Sequence, residues 1–337
     1  MLRFGVLMYC FLFHCITAQT YQDLLLKARE FYEMDSLQKA YEYLNLAIQK
    51  EVNRSEAWAL RSSVNFLLGN TKAALVDADK ALSIDPHSPI AYFSKGNVYL
   101  YSKSFAKALD HYSTVIQLDT TFTDAYFNLA CTYQLLEMYD SALYFVDLCL
   151  QLEPKYEEAL ILKGTIFHDK EEYEKAVLQY DKALSINPLN AEAYYEKALS
   201  LTHLQKYLDA LECFHKTISL IPDDPEIWVQ RGSVYIQLQN WQAAYKDFSQ
   251  AIQINPEYNL AYTNRAYVQL KLNQLQEAWN DCNKAIALNP NDGLIFNIRG
   301  VIHYEMGKMK EACNDWKKAI NLKETVHAPK NYQTYCK

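Results

Sequence analysis

The sequence predicts an all-α protein, a solenoid of nine consecutive 34-residue helix hairpins, and three columns of residues predict it. Aligned on itself at a period of 34, the chain of 337 residues places Ala40, Ala74, Ala108, Ala142, Ala176, Ala210, Ala244, Ala278 and Ala312 in one column. Twelve residues earlier in each unit stand Ala28, Ser62, Gly96, Ala130, Gly164, Ala198, Gly232, Ala266 and Gly300. Two antiparallel helices approach closely only where facing positions lack bulk, so small residues paired across a turn specify a tight hairpin. The third column is Leu24, Trp58, Tyr92, Tyr126, Leu160, Tyr194, Trp228, Tyr262 and Phe296, large side chains that fill the space between helices.

The elements follow in order. Met1-Leu2-Arg3 carries a positive charge, Phe4 to Ile16 is nearly all apolar, and Thr17-Ala18 is small ahead of polar Gln19. That order reads as a signal peptide over residues 1–18, its apolar run being well short of the ~20 residues a spanning helix needs. An uncleaved anchor and lipidation at Cys15 are the alternatives. Export is expected, to a periplasm or beyond the cell, and no later segment approaches spanning length. The repeat array covers residues 19–324, its units beginning at Tyr21, Ser55, Pro89, Thr123, Glu157, Ala191, Pro225, Asn259 and Gly293. Pro86, Pro154, Pro188, Pro222, Pro256 and Pro290 stop second helices. Just beyond them Ser88, Asn190, Asp224 and Asp292 suit an N-cap, and Pro89 and Pro225 suit a first helical turn. Residues 325–337 form a cap or tail. If Lys330 to Lys337 starts a helix antiparallel to the last one, Cys336 lies opposite Cys313 and a disulfide is within reach. The other cysteines after the leader have no Cys-x-x-Cys spacing and read as core fillers.

These columns, with their aromatic, small, alanine and terminal proline positions, resemble the tetratricopeptide repeat family over residues 21 to 324. Asn65, Gln269 and His303 stand where the first helix of that family usually has an aromatic, and Thr120 replaces one of the prolines. The resemblance implies a right-handed superhelix in which positions 2, 5, 9, 12 and 13 of each first helix line a concave, partner-binding surface. The ending Tyr335-Cys336-Lys337 behind the final unit resembles that of secreted tetratricopeptide proteins of Gram-negative bacteria.

At those positions the earlier units offer Phe66, Phe93, Asn97, Tyr101 and Phe127, with Asn128 beside them, an apolar and aromatic stretch. Later units offer Glu158, Glu192, Tyr195 and Glu226, a polar and acidic one. A partner segment with apolar anchors and basic flanks is expected there. Two structural readings compete: the glutamates lie in first helical turns, where the helix dipole favours negative charge, and the aromatics can pack between units. The family's clamp for C-terminal chaperone tails needs basic residues around two asparagines. Asn97 and Asn128 match those asparagines, but Phe93, Glu158 and Leu162 stand where the cations belong, so chaperone tails are not expected.

Catalysis is not expected. The chain has no phosphate loop, no Gly-x-Ser-x-Gly elbow, no His-Glu-x-x-His and no dinucleotide fingerprint. His168, Asp169 and His203 fall near one another without a fourth ligand, so neither a metal nor another cofactor is assigned. A net charge of -7 without a Lys/Arg cluster argues against nucleic acid. The expectation is a non-enzymatic adaptor for a protein or peptide, with a structural or chaperone-like subunit of an envelope or secretion complex as the alternative.

Overall fold

The computed structural model describes residues 19–336, and the leader expected at 1–18 lies outside the described residues. Among the described residues are nineteen helices and no strand. They run as pairs: α1 (Tyr21–Glu33) with α2 (Leu37–Lys50), α3 (Ser55–Leu67) with α4 (Thr71–Ile84), α5 (Pro89–Tyr101) with α6 (Phe105–Leu118), and α7 (Thr123–Leu135) with α8 (Tyr139–Leu152). Then come α9 (Glu157–Asp169) with α10 (Tyr173–Ile186), α11 (Ala191–His203) with α12 (Tyr207–Leu220), and α13 (Pro225–Gln237) with α14 (Trp241–Ile254). The series closes with α15 (Asn259–Lys271) and α16 (Leu275–Leu288), α17 (Gly293–Glu305) and α18 (Met309–Asn321), and a single α19 (Ala328–Tyr335). Every first helix starts at the residue the repeat predicts. Two compact units result, one ending at Ile166 and one beginning at Phe167, and each is an α-solenoid of stacked hairpins.

The alanine column is fully buried in both units. Opposite it, the small residues fit what lies above them. Gly96, Gly232 and Gly300 sit beneath Tyr112, Phe248 and Trp316, so close that a Cβ on Gly96 would lie 2.5 Å from a Tyr112 ring carbon. Alanine or serine returns where the residue sixteen further on is Leu44, Ala78 or Val146, with Ala198 beneath Phe214 as an exception. Gly96→Ala therefore has an unusual sign. Alanine gains about 1 kcal/mol of helix propensity, but it must displace a fully buried ring, which costs about 1–3 kcal/mol. A lower urea midpoint is the expected result, and a higher one would show that Tyr112 moves freely.

Each hairpin turns on a residue in the left-handed region: Asp35, Lys103, Glu137, Glu171, Gln205, Gln239 and Asn273, with Gly69 and Gly307 at the same repeat position. The non-glycine turns each cost about 1 kcal/mol that packing of the two helices offsets. Caps vary more. Asn190, Asp224 and Asp292 accept backbone N–H bonds at helix starts. Ser88 occupies the N-cap of α5 without a side-chain bond, and Pro89 follows it.

A further column was not anticipated. Position 7 of the first helix holds Arg61, Arg231, Arg265 and Arg299, each bonded through two nitrogens to an aspartate sixteen residues on: Asp77, Asp247, Asp281 and Asp315. Three lysines at position 7 instead find a partner sixteen residues back, in the preceding hairpin: Lys95 with Asp79, Lys163 with Asp147 and Lys197 with Asp181, while Lys27 of the first hairpin lies over the Tyr43 ring. Arginine's planar fork spans both carboxylate oxygens, whereas the lysine ammonium reaches one. The ladder also explains two of the residues that replace aromatics. Asn65 donates to Asp77 at 2.8 Å, and His303 Nδ1 lies 2.9 Å from Asp315, so each brings a polar group to a buried carboxylate.

Candidate partner-binding faces

In the unit ending at Ile166, helices α3, α5 and α7 supply the face on which the aromatic stretch was expected. Phe93 is half-buried, its ring 4.9 Å from Phe122 and 5.7 Å from Tyr112. Phe127 stacks on Tyr156 at 5.3 Å. Each therefore packs against the loop residue just before the next first helix, Phe93 also against Tyr112 of its own hairpin, and both rings are only partly exposed. Asn97 and Asn128 are brought together and occupied: Asn97 Oδ1 accepts from the Tyr112 hydroxyl at 2.7 Å and from Asn128 Nδ2 at 2.9 Å. Phe66 meets Tyr101 edge-on at 6.3 Å, and Tyr101 is 75% exposed. Glu158 is exposed in the first turn of α9.

Sequence reasoning missed two members of this face. Leu67 and Leu135 occupy the repeat position of Tyr101 and are 50% and 56% exposed. Leu67, Tyr101 and Leu135 thus stand 34 residues apart at the C-terminal ends of consecutive first helices, an apolar row left to solvent. The signal was present at position 13 of each unit.

In the unit beginning at Phe167, Glu192 is exposed in the first turn of α11. Glu226 is engaged, accepting from Gln230 Nε2 at 2.5 Å and from the Tyr258 hydroxyl. Tyr195 is half-buried, and burial, followed by Glu226, Glu196 and Asp224, pushes its hydroxyl up to about 12. His168 Nδ1 lies 2.8 Å from the Ser200 hydroxyl, and burial lowers its pKa. His203 stacks on Tyr173 at 4.6 Å. The two histidines thus belong to a small aromatic cluster, and among the described residues no group of three or more His, Cys, Asp or Glu side chains is arranged to hold a metal.

Glu196 was also missed. It sits half-buried on α11, and burial, then Glu192 and Asp169, raise its carboxyl from 4.5 to about 7. The folded chain keeps a proton there that the unfolded chain releases, so this group's contribution falls as pH rises from about 4.5 to about 7. Glu196→Gln is neutral throughout. It should match the wild type near pH 4.5 and exceed it at pH 8 by about 1–2 kcal/mol, allowing for partial exposure. Thermal melts at the two pH values check this, and equal differences at both would contradict it.

Among the described residues, no helix is long and apolar enough to cross a membrane. Family models described as tetratricopeptide repeat match residues 123–156, 205–269 and 260–292, and one described as TPR repeat matches 164–202. The human "Tetratricopeptide repeat protein 6" is 27% identical over 82 residues, 22% of this chain and 16% of that protein. The wheat (Triticum aestivum) "Hsp70-Hsp90 organizing protein" is 26% identical over 93 residues, 28% of this chain and 16% of that one. The matched stretch thus spans 16% of the length of each relative. Among solved structures, the APC/C hetero-tetramer Cut9-Hcn1 superposes with a TM-score of 0.57 at 16% identity, over 96% of this chain and 65% of that one, a likeness of fold alone. With its repeat columns, its stacked hairpins and these matches, the chain belongs to the tetratricopeptide repeat family.

Proposed function

We propose that this chain is a non-enzymatic interaction scaffold that acts outside the cytoplasm and holds a segment of a partner protein on its first-helix faces. The observation that carries this reading is the row of Leu67, Tyr101 and Leu135, apolar side chains repeated on consecutive helices and at least half exposed among the described residues. Phe66, Phe93 and Phe127 extend the same face with their partly exposed rings, beside Asn97 and Asn128. Glu158 on α9, and Glu192, Tyr195 and Glu226 in the later unit, supply negative charge for basic residues of the partner. Export rests on the charged, apolar and small-residue order of residues 1–18, and N-terminal sequencing of the mature protein tests it. The asparagine pair has no cation around it like those the chaperone-tail clamp needs, so a chaperone tail is not the partner we assign, despite the resemblance to an organizing protein of chaperones.

The test is affinity purification of the mature chain, wild type against a Tyr101→Glu, Leu135→Glu variant. These side chains are exposed, so the variant keeps its helicity, whereas Phe93→Glu would disturb packing. Loss of a stoichiometric partner from the still-helical variant, by about tenfold or more, is the expected outcome. Equal retention would move the contact to second helices, where Val76 and Tyr144 are 67% and 60% exposed. That result would favour a structural subunit.

A further inference from the structure

A cavity of about 620 Å³ lies in the unit beginning at Phe167, between α13, α15, α17 and α19. Ligand sites are commonly about 300–1,000 Å³. Its chemistry differs from the rest of the chain. Lys271, His327 and Lys330 line it and no carboxylate does, in a protein whose net charge is -7. In the same unit Arg231, Arg265 and Arg299 are each matched to an aspartate, whereas neither Lys271 nor Lys330 forms an ion pair. Lys271 leans over the Tyr267 ring at 5.3 Å, and Glu324, behind His327, accepts backbone N–H bonds at the start of α19. Both lysines are exposed, and neither has a carboxylate within ion-pair distance among the described residues.

The remaining lining is of two kinds. Tyr267, Leu270, Ile298 and Val301 give an apolar floor. Asn264, Asn297, Asn331 and Gln237 give amides, each with a donor and an acceptor, as each peptide bond has. Asn331 donates to Asn297 at 3.1 Å, which leaves further amide capacity facing the cavity. The wall that carries Lys330 and Asn331 is held in place, because Cys336 at its end is joined to Cys313 of α18.

We infer that this cavity binds an extended acidic peptide segment of a partner, with carboxylates on Lys271 and Lys330, an apolar side chain on the floor and the backbone on the amides. The occupant follows from charge complementarity: two uncompensated cations over an apolar floor recognise an acid next to a large apolar residue. The inference rests on the interaction reading above, but it places the contact in a different unit and gives it the opposite charge preference.

A phage-displayed library of random dodecapeptides, selected on the disulfide-intact full chain, tests it. Enriched peptides are labelled and their affinity measured by fluorescence polarisation against wild type, a Lys271→Gln, Lys330→Gln variant and a Lys271→Glu, Lys330→Glu variant. All three should melt alike, since both lysines are on the surface. The expected result is enrichment of Asp or Glu within a few residues of Leu, Ile or Phe, with binding weakened about tenfold by neutralisation and about a hundredfold by reversal. Enrichment of peptides without acidic residues, or equal affinity for all three proteins, overturns the inference. Peptides insensitive to the lysine changes but lost on Tyr101→Glu, Leu135→Glu remove this site and leave the interaction reading intact. No enrichment on either face overturns both.

Discussion

Asp247→Ala is expected to destabilise the protein by about 3–5 kcal/mol, among the largest effects of any single surface-distant substitution in the chain. Arg231 donates to both carboxylate oxygens, at 2.8 and 2.7 Å, and the two side chains are only 12% and 5% exposed. The guanidinium also lies 4.9 Å from the Trp228 ring centroid. Burial raises the Asp247 carboxyl and Arg231 lowers it, with burial the larger influence. Removing the aspartate leaves a desolvated guanidinium without its acceptor, and that residue of charge is what costs. Asp181→Ala is the control, since that carboxylate is 50% exposed beside Lys197 and the pair is worth about 1 kcal/mol or less. Urea titrations of the two variants should differ severalfold in lost stability. Similar losses would mean that burial does not set the value of these rungs. Replacing both members, Arg231→Met with Asp247→Leu, should recover most of the loss, because no charge is then stranded.

Cys336→Ser is expected to cost about 3 kcal/mol, the value for removing a cross-link that closes a loop of this size. The bond joins residues separated by 23 positions, with Cα atoms 5.6 Å apart, and ties the short α19 to α18. Eight residues are too few for a helix to persist alone in water. Its other attachments are modest: Ala328 is buried, Tyr335 lies 4.5 Å from Tyr304, and Glu324 caps its first turn. Hydrogen exchange reads the effect locally. Amides that bond within α19 should lose protection in the serine variant, while those of α13 and α14 stay protected. Equal protection in both proteins would show that packing alone holds the helix.

The fold was legible because the repeat states it nine times over. The start of each first helix at Tyr21, Ser55, Pro89 and onward is set by columns that agree with one another, so an aberrant residue such as Thr120 does not shift the register. The faces were less legible. A repeat position gives the direction of a side chain, but whether Phe93 meets solvent depends on Tyr112 of α6 and on Phe122 in the loop before α7, and nothing in the period of the first helix reports that. The row of Leu67, Tyr101 and Leu135 and the pairing of Arg231 with Asp247 could have been read at fixed spacing. Small and aromatic columns define the hairpin whatever its charges are, so the period alone does not single out position 7 or position 13. Glu196 is different, since its raised pKa comes from burial and from Asp169 on another helix, a juxtaposition that needs coordinates.

The direction of each rung decides where the chain can be cut and rejoined. A hairpin with arginine at position 7 brings its own carboxylate, so residues 225–258 could be excised or duplicated and Arg265 would still find Asp281. A hairpin with lysine borrows from its predecessor, and deletion of residues 123–156 would take Asp147 away from Lys163 and leave Ser113 at its repeat position. Units that look interchangeable by their alanines therefore differ in heredity: some can be inherited singly, and others only together with the unit before them.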